Sequence, residues 1–156
     1  MLVRIVRDLT PEEIRIRIKK LEKTLDMSFE KLEKLFIEKK LDAKSVSTYF
    51  ELAELVDSYK GYVESGELDY TAEETRDLNP KQIAMLTPKR IELLYKLATL
   101  RVESISDLTQ KVKRNVKNVH RDLQVLCGFG FVTLNKRRKQ AIIPETLVKE
   151  ITFLIR

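Results

Sequence analysis

Between Lys111 and Gln140 the chain carries nine basic residues and one acid, Asp122, a balance of +8 in 30 residues. The cations form two groups. Lys111, Lys113, Arg114, Lys117 and Arg121 surround a segment with helical periodicity, and Lys136-Arg137-Arg138-Lys139 follow in one run. At 100° per residue Val116, Val119, Leu123 and Leu126 share one arc of roughly 80°, which predicts a core face, and Lys117, Arg121 and Gln124 fall opposite. These long donors match nucleic-acid chemistry: Arg pairs with guanine O6 and N7, Gln with adenine, and Lys with phosphate or guanine. Asn118 and His120 flank them. Asn115 is placed to cap the helix while the amides of its first turn point at a phosphate. A charge run alone is most often a solvated face. Two cationic groups beside a helix with an apolar back make the nucleic-acid reading the stronger one.

Other chemistry has little to work with. The one cysteine, Cys127, has no disulfide partner within the chain, and with His120 as the one histidine no Cys/His set for zinc exists. Cys127 reads as a small buried hydrophobe at a helix end, and His120 as a surface or partly packed side chain. No phosphate-cradling glycine loop, Gly-x-Ser-x-Gly elbow or His-Glu-x-x-His motif occurs. Neither catalytic residues nor a metal or cofactor are expected, and an enzyme is the least favoured class. With no apolar run long enough to span a bilayer and a basic start unlike a secretory signal, a cytoplasmic location is expected.

The elements that must position these residues come next. The formal charge of +6 splits at Pro80: residues 1–80 hold 14 Lys/Arg and 18 Asp/Glu, a balance of −4, and residues 81–156 hold 16 and 6, a balance of +10. Such segregation predicts a polyanion-binding module joined to a part with another job. In the first half Thr10-Pro11-Glu12-Glu13 is a capping arrangement that opens a helix to about Leu25, with Ile14, Ile18, Leu21 and Leu25 on one face. Ser28 caps a second helix ending near Lys40, and Asp42 a third, roughly Ala43 to Glu64. Tyr49, Phe50, Tyr59 and Tyr62 on it read as core or interface before they read as an effector pocket. Thr71-Ala72-Glu73-Glu74 repeats the capping pattern and predicts a short helix that Asn79-Pro80 closes. The segment Leu41 to Pro80, with three basic and ten acidic residues, suits a basic protein partner.

In the second half Thr87-Pro88 opens a helix with Ile91, Leu94, Leu97 and Ala98 on its apolar face, and Arg101-Val102-Glu103 fits a short strand. Ser104 caps a helix carrying Ile105, Leu108 and Val112. After Lys113-Arg114-Asn115 comes the helix from Val116 to about Cys127, stopped by Gly128-Phe129-Gly130. Phe131–Leu134 and Ala141–Ile143 read as strands of a basic-tipped hairpin. Leu147 to Ile155 fits either element: Ile151, Phe153 and Ile155 alternate as in a strand, Leu147, Ile151 and Leu154 fit a helix, and the crowding of Ile, Thr and Phe favours the strand. Helix, short strand, helix, turn, helix, strand, basic loop, strand is the order of a winged helix-turn-helix. The expected fold is mainly α with a small β-hairpin wing: a helical domain, 1–80, and a winged helix-turn-helix, 81–156.

The runs Leu86-Thr87-Pro88-Lys89-Arg90-Ile91-Glu92-Leu93-Leu94, Ser104-Ile105-Ser106-Asp107-Leu108, Lys117-Asn118-Val119-His120-Arg121-Asp122-Leu123 and Gly128-Phe129-Gly130-Phe131-Val132 resemble archaeal winged-helix transcriptional regulators of the MarR-like type. The resemblance covers residues 80–156 and implies duplex DNA binding, usually as a homodimer, in the control of transcription. Expected base readers are Lys117, Asn118, Arg121 and Gln124. Expected backbone and wing contacts are Lys111, Lys113, Arg114, Asn115, Lys136, Arg137, Arg138 and Lys139. The N-terminal helices are expected to dimerise or bind a partner. Met27-Ser28-Phe29-Glu30 and the acidic helices after it bear a slight similarity to segments of antitoxin-like proteins. The rival reading is a protein-interaction module in a transcription or toxin-antitoxin-like complex without strong sequence readout. Structured RNA is a third target for the same cations, although the basic half lacks an aromatic stacking platform.

Overall fold

The computed structural model describes residues 1–136 and 141–155. The chain is mixed α/β and divides into two compact units: Met1–Asp8 together with the chain from Thr71 onward, and Leu9–Tyr70. The division therefore falls at Asp8 and Tyr70 and not after Pro80. The cause is strand pairing. Strand β1 (Leu2–Asp8) runs antiparallel to β2 (Thr71–Asp77), in register from Leu2 opposite Asp77 to Asp8 opposite Thr71, so the helical unit is an insertion between two paired strands.

The inserted unit holds α1 (Pro11–Leu25), α2 (Phe29–Ile37) and α3 (Ala43–Ser65). Thr10 and Ser28 cap the first two, accepting hydrogen bonds from the amides of Glu13 and Lys31 at 3.3 Å each. Asp42 occupies the cap position of α3 without a side-chain hydrogen bond, and Gly66 ends that helix in the left-handed conformation at φ 77°. Leu32, Tyr49 and Leu52 form the buried centre, with Ile18, Leu21, Leu25 and Phe36 against it. The Tyr49 ring stacks on Phe36 with centroids 4.5 Å apart and on Phe29 at 6.0 Å, which places it in the core.

The other unit builds its core from both ends of its sequence. Its three-stranded antiparallel sheet has the order β2-β1-β5, with β5 spanning Val148–Phe153. The strand expected at the end of the chain is present, and it pairs with β1, Ile5 lying opposite Ile151. The helix expected at Thr71 is the strand β2. Its local sequence matches a cap, but seven residues of ladder with β1 satisfy its backbone, and tertiary pairing outweighs a weak local preference. Asn79-Pro80 opens a helix and does not close one. Asn79 Oδ1 accepts from the Gln82 amide and Gln82 Oε1 from the Asn79 amide, both at 2.9 Å, a full capping box for α4 (Pro80–Met85).

Helices α5 (Pro88–Thr99), α6 (Ile105–Val112) and α7 (Val116–Gly128) follow, capped by Thr87, Ser104 and Asn115 as their sequences dictate. The buried face of α5 is Leu93, Leu94 and Leu97. Ile91 and Ala98 are exposed, a rotation of the expected stripe. Arg101–Glu103 is an irregular connection between α5 and α6, not a strand, with Val102 packed on the core. Strands β3 (Val132–Lys136) and β4 (Ile142–Thr146) form the antiparallel hairpin, Val132 opposite Thr146 and Lys136 opposite Ile142. Pro144 is tolerated there because β4 pairs on one side alone among the described residues. Val3 and Ile5 of β1 share one core with Leu93, Leu108, Val119, Leu123, Leu126 and Phe131. Each such fully buried side chain contributes roughly 1.5–3 kcal/mol. Among the described residues no helix is long and apolar enough to cross a membrane, and no buried side-chain N or O lacks a partner.

Candidate nucleic-acid interface

Helix α7 starts where Asn115 turns the chain out of α6. Its Oδ1 accepts from the Lys117 amide at 2.8 Å, one of the orphan donors that a helix start leaves. Val119, Leu123 and Leu126 are wholly buried, which fixes the rotation of the helix about its axis. Lys117, Asn118, His120, Arg121 and Gln124 are consequently all exposed, on one side. From Lys117 to Gln124 the face runs about 10 Å at 1.5 Å per residue. Val116, expected in the core, is 55% exposed. It is the first residue of α7, ahead of the turn that the core grips.

The single acid of the basic stretch is the fourth buried residue of α7. Asp122 is 7% exposed, and its two oxygens accept from Arg90 Nε at 2.9 Å and from Arg114 at 2.5 Å. It thus ties α5 and the α6–α7 turn to α7. Its position three after Val119 and four before Leu126 is a signal in the sequence, because an acid on an apolar arc needs a cation.

The far end of α7 is held by residues that motif reading passed over. Arg76 of β2 donates to the Phe129 carbonyl at 2.5 Å, and Arg7 of β1 to the Gly130 carbonyl at 3.4 Å. Cations at these last carbonyls complement the negative end of the helix dipole. Glu74 lies between the two arginines, with Arg7 Nε at 2.8 Å and Arg76 Nε at 3.0 Å from Oε1. Burial pushes the Glu74 carboxyl up, but hydrogen bonds and charge from Arg7 and Arg76 outweigh it and hold the group below its ordinary value. The Arg76 guanidinium also lies over the Phe131 ring at 5.7 Å. Gly130 takes φ 74° and lets α7 turn into β3.

The expected backbone contacts divide. Lys113 is exposed and ends α6 in the left-handed region at φ 54°. Lys111 bonds Asp107 at 3.0 Å and the Arg101 carbonyl. Arg114 is half-buried and committed in part to Asp122, so it is less available than its sequence position implies. Lys136 is exposed at the end of β3. Arg137, Arg138 and Lys139 lie outside the described residues. Cys127 is half-buried, and burial pushes its thiol pKa up, which suppresses the reactive thiolate. Among the described residues no group of three or more His, Cys, Asp or Glu side chains is arranged to hold a metal ion.

Residues 85–151, which hold α5 to α7 and the hairpin, match the model of a family described as HVO_A0114. No curated protein and no solved structure matches the chain.

Proposed function

We propose that the chain is a sequence-specific, double-stranded DNA-binding transcriptional regulator of winged helix-turn-helix, MarR-like type. The observation that carries this reading is the exposed row Lys117, Asn118, Arg121 and Gln124 on a helix locked by Val119, Leu123 and Leu126. In this reading α6 and α7 are the helix-turn-helix, and α7 enters the major groove, about 12 Å wide, where bidentate donors distinguish base pairs. The β3–β4 hairpin is the wing. Lys111, Lys113, Asn115 and Lys136, with Arg137, Arg138 and Lys139 of the connecting sequence, supply backbone or minor-groove contacts that give affinity without sequence information. The helical unit Leu9–Tyr70 dimerises or holds a protein partner, a role supported by its exposed Ile16, Ile37, Phe50 and Val63. In this reading the protein works on DNA in the cytoplasm.

A gel-shift series across salt tests the electrostatic core of this reading. If each protomer of a dimer neutralises about four phosphates, log K against log salt falls with a slope of roughly −7. A flat response, or co-purification with a basic protein and no retention of duplex at low salt, overturns it for the interaction-module reading.

A further inference from the structure

Beside the exposed face of α7 a cleft of about 190 Å³ opens, lined by Lys89 and Arg90 of the first turn of α5, Arg114 of the connecting turn, and Asn118, Arg121 and Asp122 of α7. Four cations and one acid line it. Its polar floor is internally engaged. Arg90 and Arg114 both donate to the Asp122 carboxylate, at 2.9 and 2.5 Å, so two guanidiniums share one negative charge and the floor keeps a surplus positive charge. Both carboxylate oxygens are occupied. Lys89, Asn118 and Arg121 are exposed, and among the described residues none of their side chains has a hydrogen-bond or ion-pair partner.

Four cations beside a single carboxylate leave a surplus that repels itself, and the group that relieves it is small, singly charged and rich in oxygen acceptors. A phosphodiester has those properties. We propose that this cleft seats one phosphate of the duplex backbone, with Lys89 as its main contact and the N–H groups of Arg114 not used by Asp122 as a second. The proposal rests on the DNA-binding reading and adds to it a residue outside the basic stretch, together with a function for the Asp122 bridge. With Asp122 holding both arginines in place, the seat is preformed and fixed relative to α7. A phosphate in it sets the depth and register at which Arg121 and Gln124 meet base edges, as backbone contacts do in general.

The test is fluorescence anisotropy of the full chain with a selected duplex and a scrambled duplex, from 50 to 200 mM salt. Wild type, Lys89→Ala and Lys89→Arg are compared, with added inorganic phosphate against chloride at matched ionic strength. Lys89 is exposed, so its replacement spares the fold. Lys89→Ala is expected to weaken both duplexes by the same factor and to lower the salt slope by about 0.9 per protomer. Lys89→Arg restores both. Unchanged affinity and slope in Lys89→Ala, while wild type binds, overturn the seat and leave the DNA reading standing. Phosphate competition that wild type shows and Lys89→Ala lacks supports the seat as well, because inorganic phosphate offers the same oxygens as the backbone phosphate. Failure of wild type to bind either duplex removes the DNA reading and the seat together.

Discussion

Two carboxylates, Asp122 and Glu74, organise the arginines around α7, and each gives a distinct expectation. Replacing Asp122 with Ala leaves Arg90 and Arg114 facing each other in a largely buried setting. Loss of one partner from such a cluster costs about 3–5 kcal/mol when fully buried and less with the partial exposure here, so a loss of roughly 2–3 kcal/mol in denaturant midpoint analysis is expected. An unchanged midpoint would mean that the bridge is dispensable. Glu74 is held below its ordinary pKa, with burial opposing and Arg7 and Arg76 prevailing. A carboxyl whose folded pKa is depressed contributes stability that is complete above the unfolded pKa and is lost as pH falls through the folded value. Glu74→Gln should therefore lower stability at neutral pH and flatten the acid limb below the ordinary carboxylate range. Parallel pH–stability curves for wild type and variant would contradict this assignment.

At the level of elements, α7 is gripped at both ends. The Gly130 exit is the tighter constraint: φ is 74°, and a Cβ there would lie 3.2 Å from Arg7 Nη1. Gly130→Ala is expected to cost about 1–2 kcal/mol, read as a fall in Tm of roughly 2–8 °C. No shift would show that the turn relaxes freely. The sequence made α1, α2, α5, α6 and α7 legible because their starts are specified locally, by Thr10, Ser28, Thr87, Ser104 and Asn115 within a few residues of what they cap. The hairpin was legible from β-rich runs around a polar tip. The strand at Thr71 was not, since Thr71-Ala72-Glu73-Glu74 also fits a cap and its choice depends on a partner at Leu2–Asp8 far along the chain. For the same reason Arg7, Glu74 and Arg76 escaped notice as supports of α7. The α7 face was readable from periodicity to within one residue, Val116. Lys89 was not, because only the fold brings α5 to α7.

Across the whole molecule, the +10 half belongs to a unit completed by Met1–Asp8 and residues 71–80 of the other half, and the helical insertion leaves and rejoins it between paired residues. Because Asp8 lies directly opposite Thr71, a two-residue Asn-Gly turn can join them in place of Leu9–Tyr70. The shortened chain is expected to fold cooperatively and to retain the charge pattern of the basic face. If the helical unit dimerises the protein, the shortened chain sediments as a monomer and binds DNA with about half the salt slope of the full chain. Failure to fold would show that the two units depend on each other for stability. A chain starting at Thr71 lacks Val3 and Ile5 from its core and should be strongly destabilised even though it contains all of α5 to β4. The central claim, that α7 reads duplex DNA, is tested most directly by selecting bound sequences from a random duplex pool with wild type and Arg121→Ala. The account predicts enriched half-sites for wild type and, for the variant, relaxed preference worth about 1–3 kcal/mol at one base pair with the others kept. No enrichment by wild type, or the same selected sequences from both proteins, would contradict it.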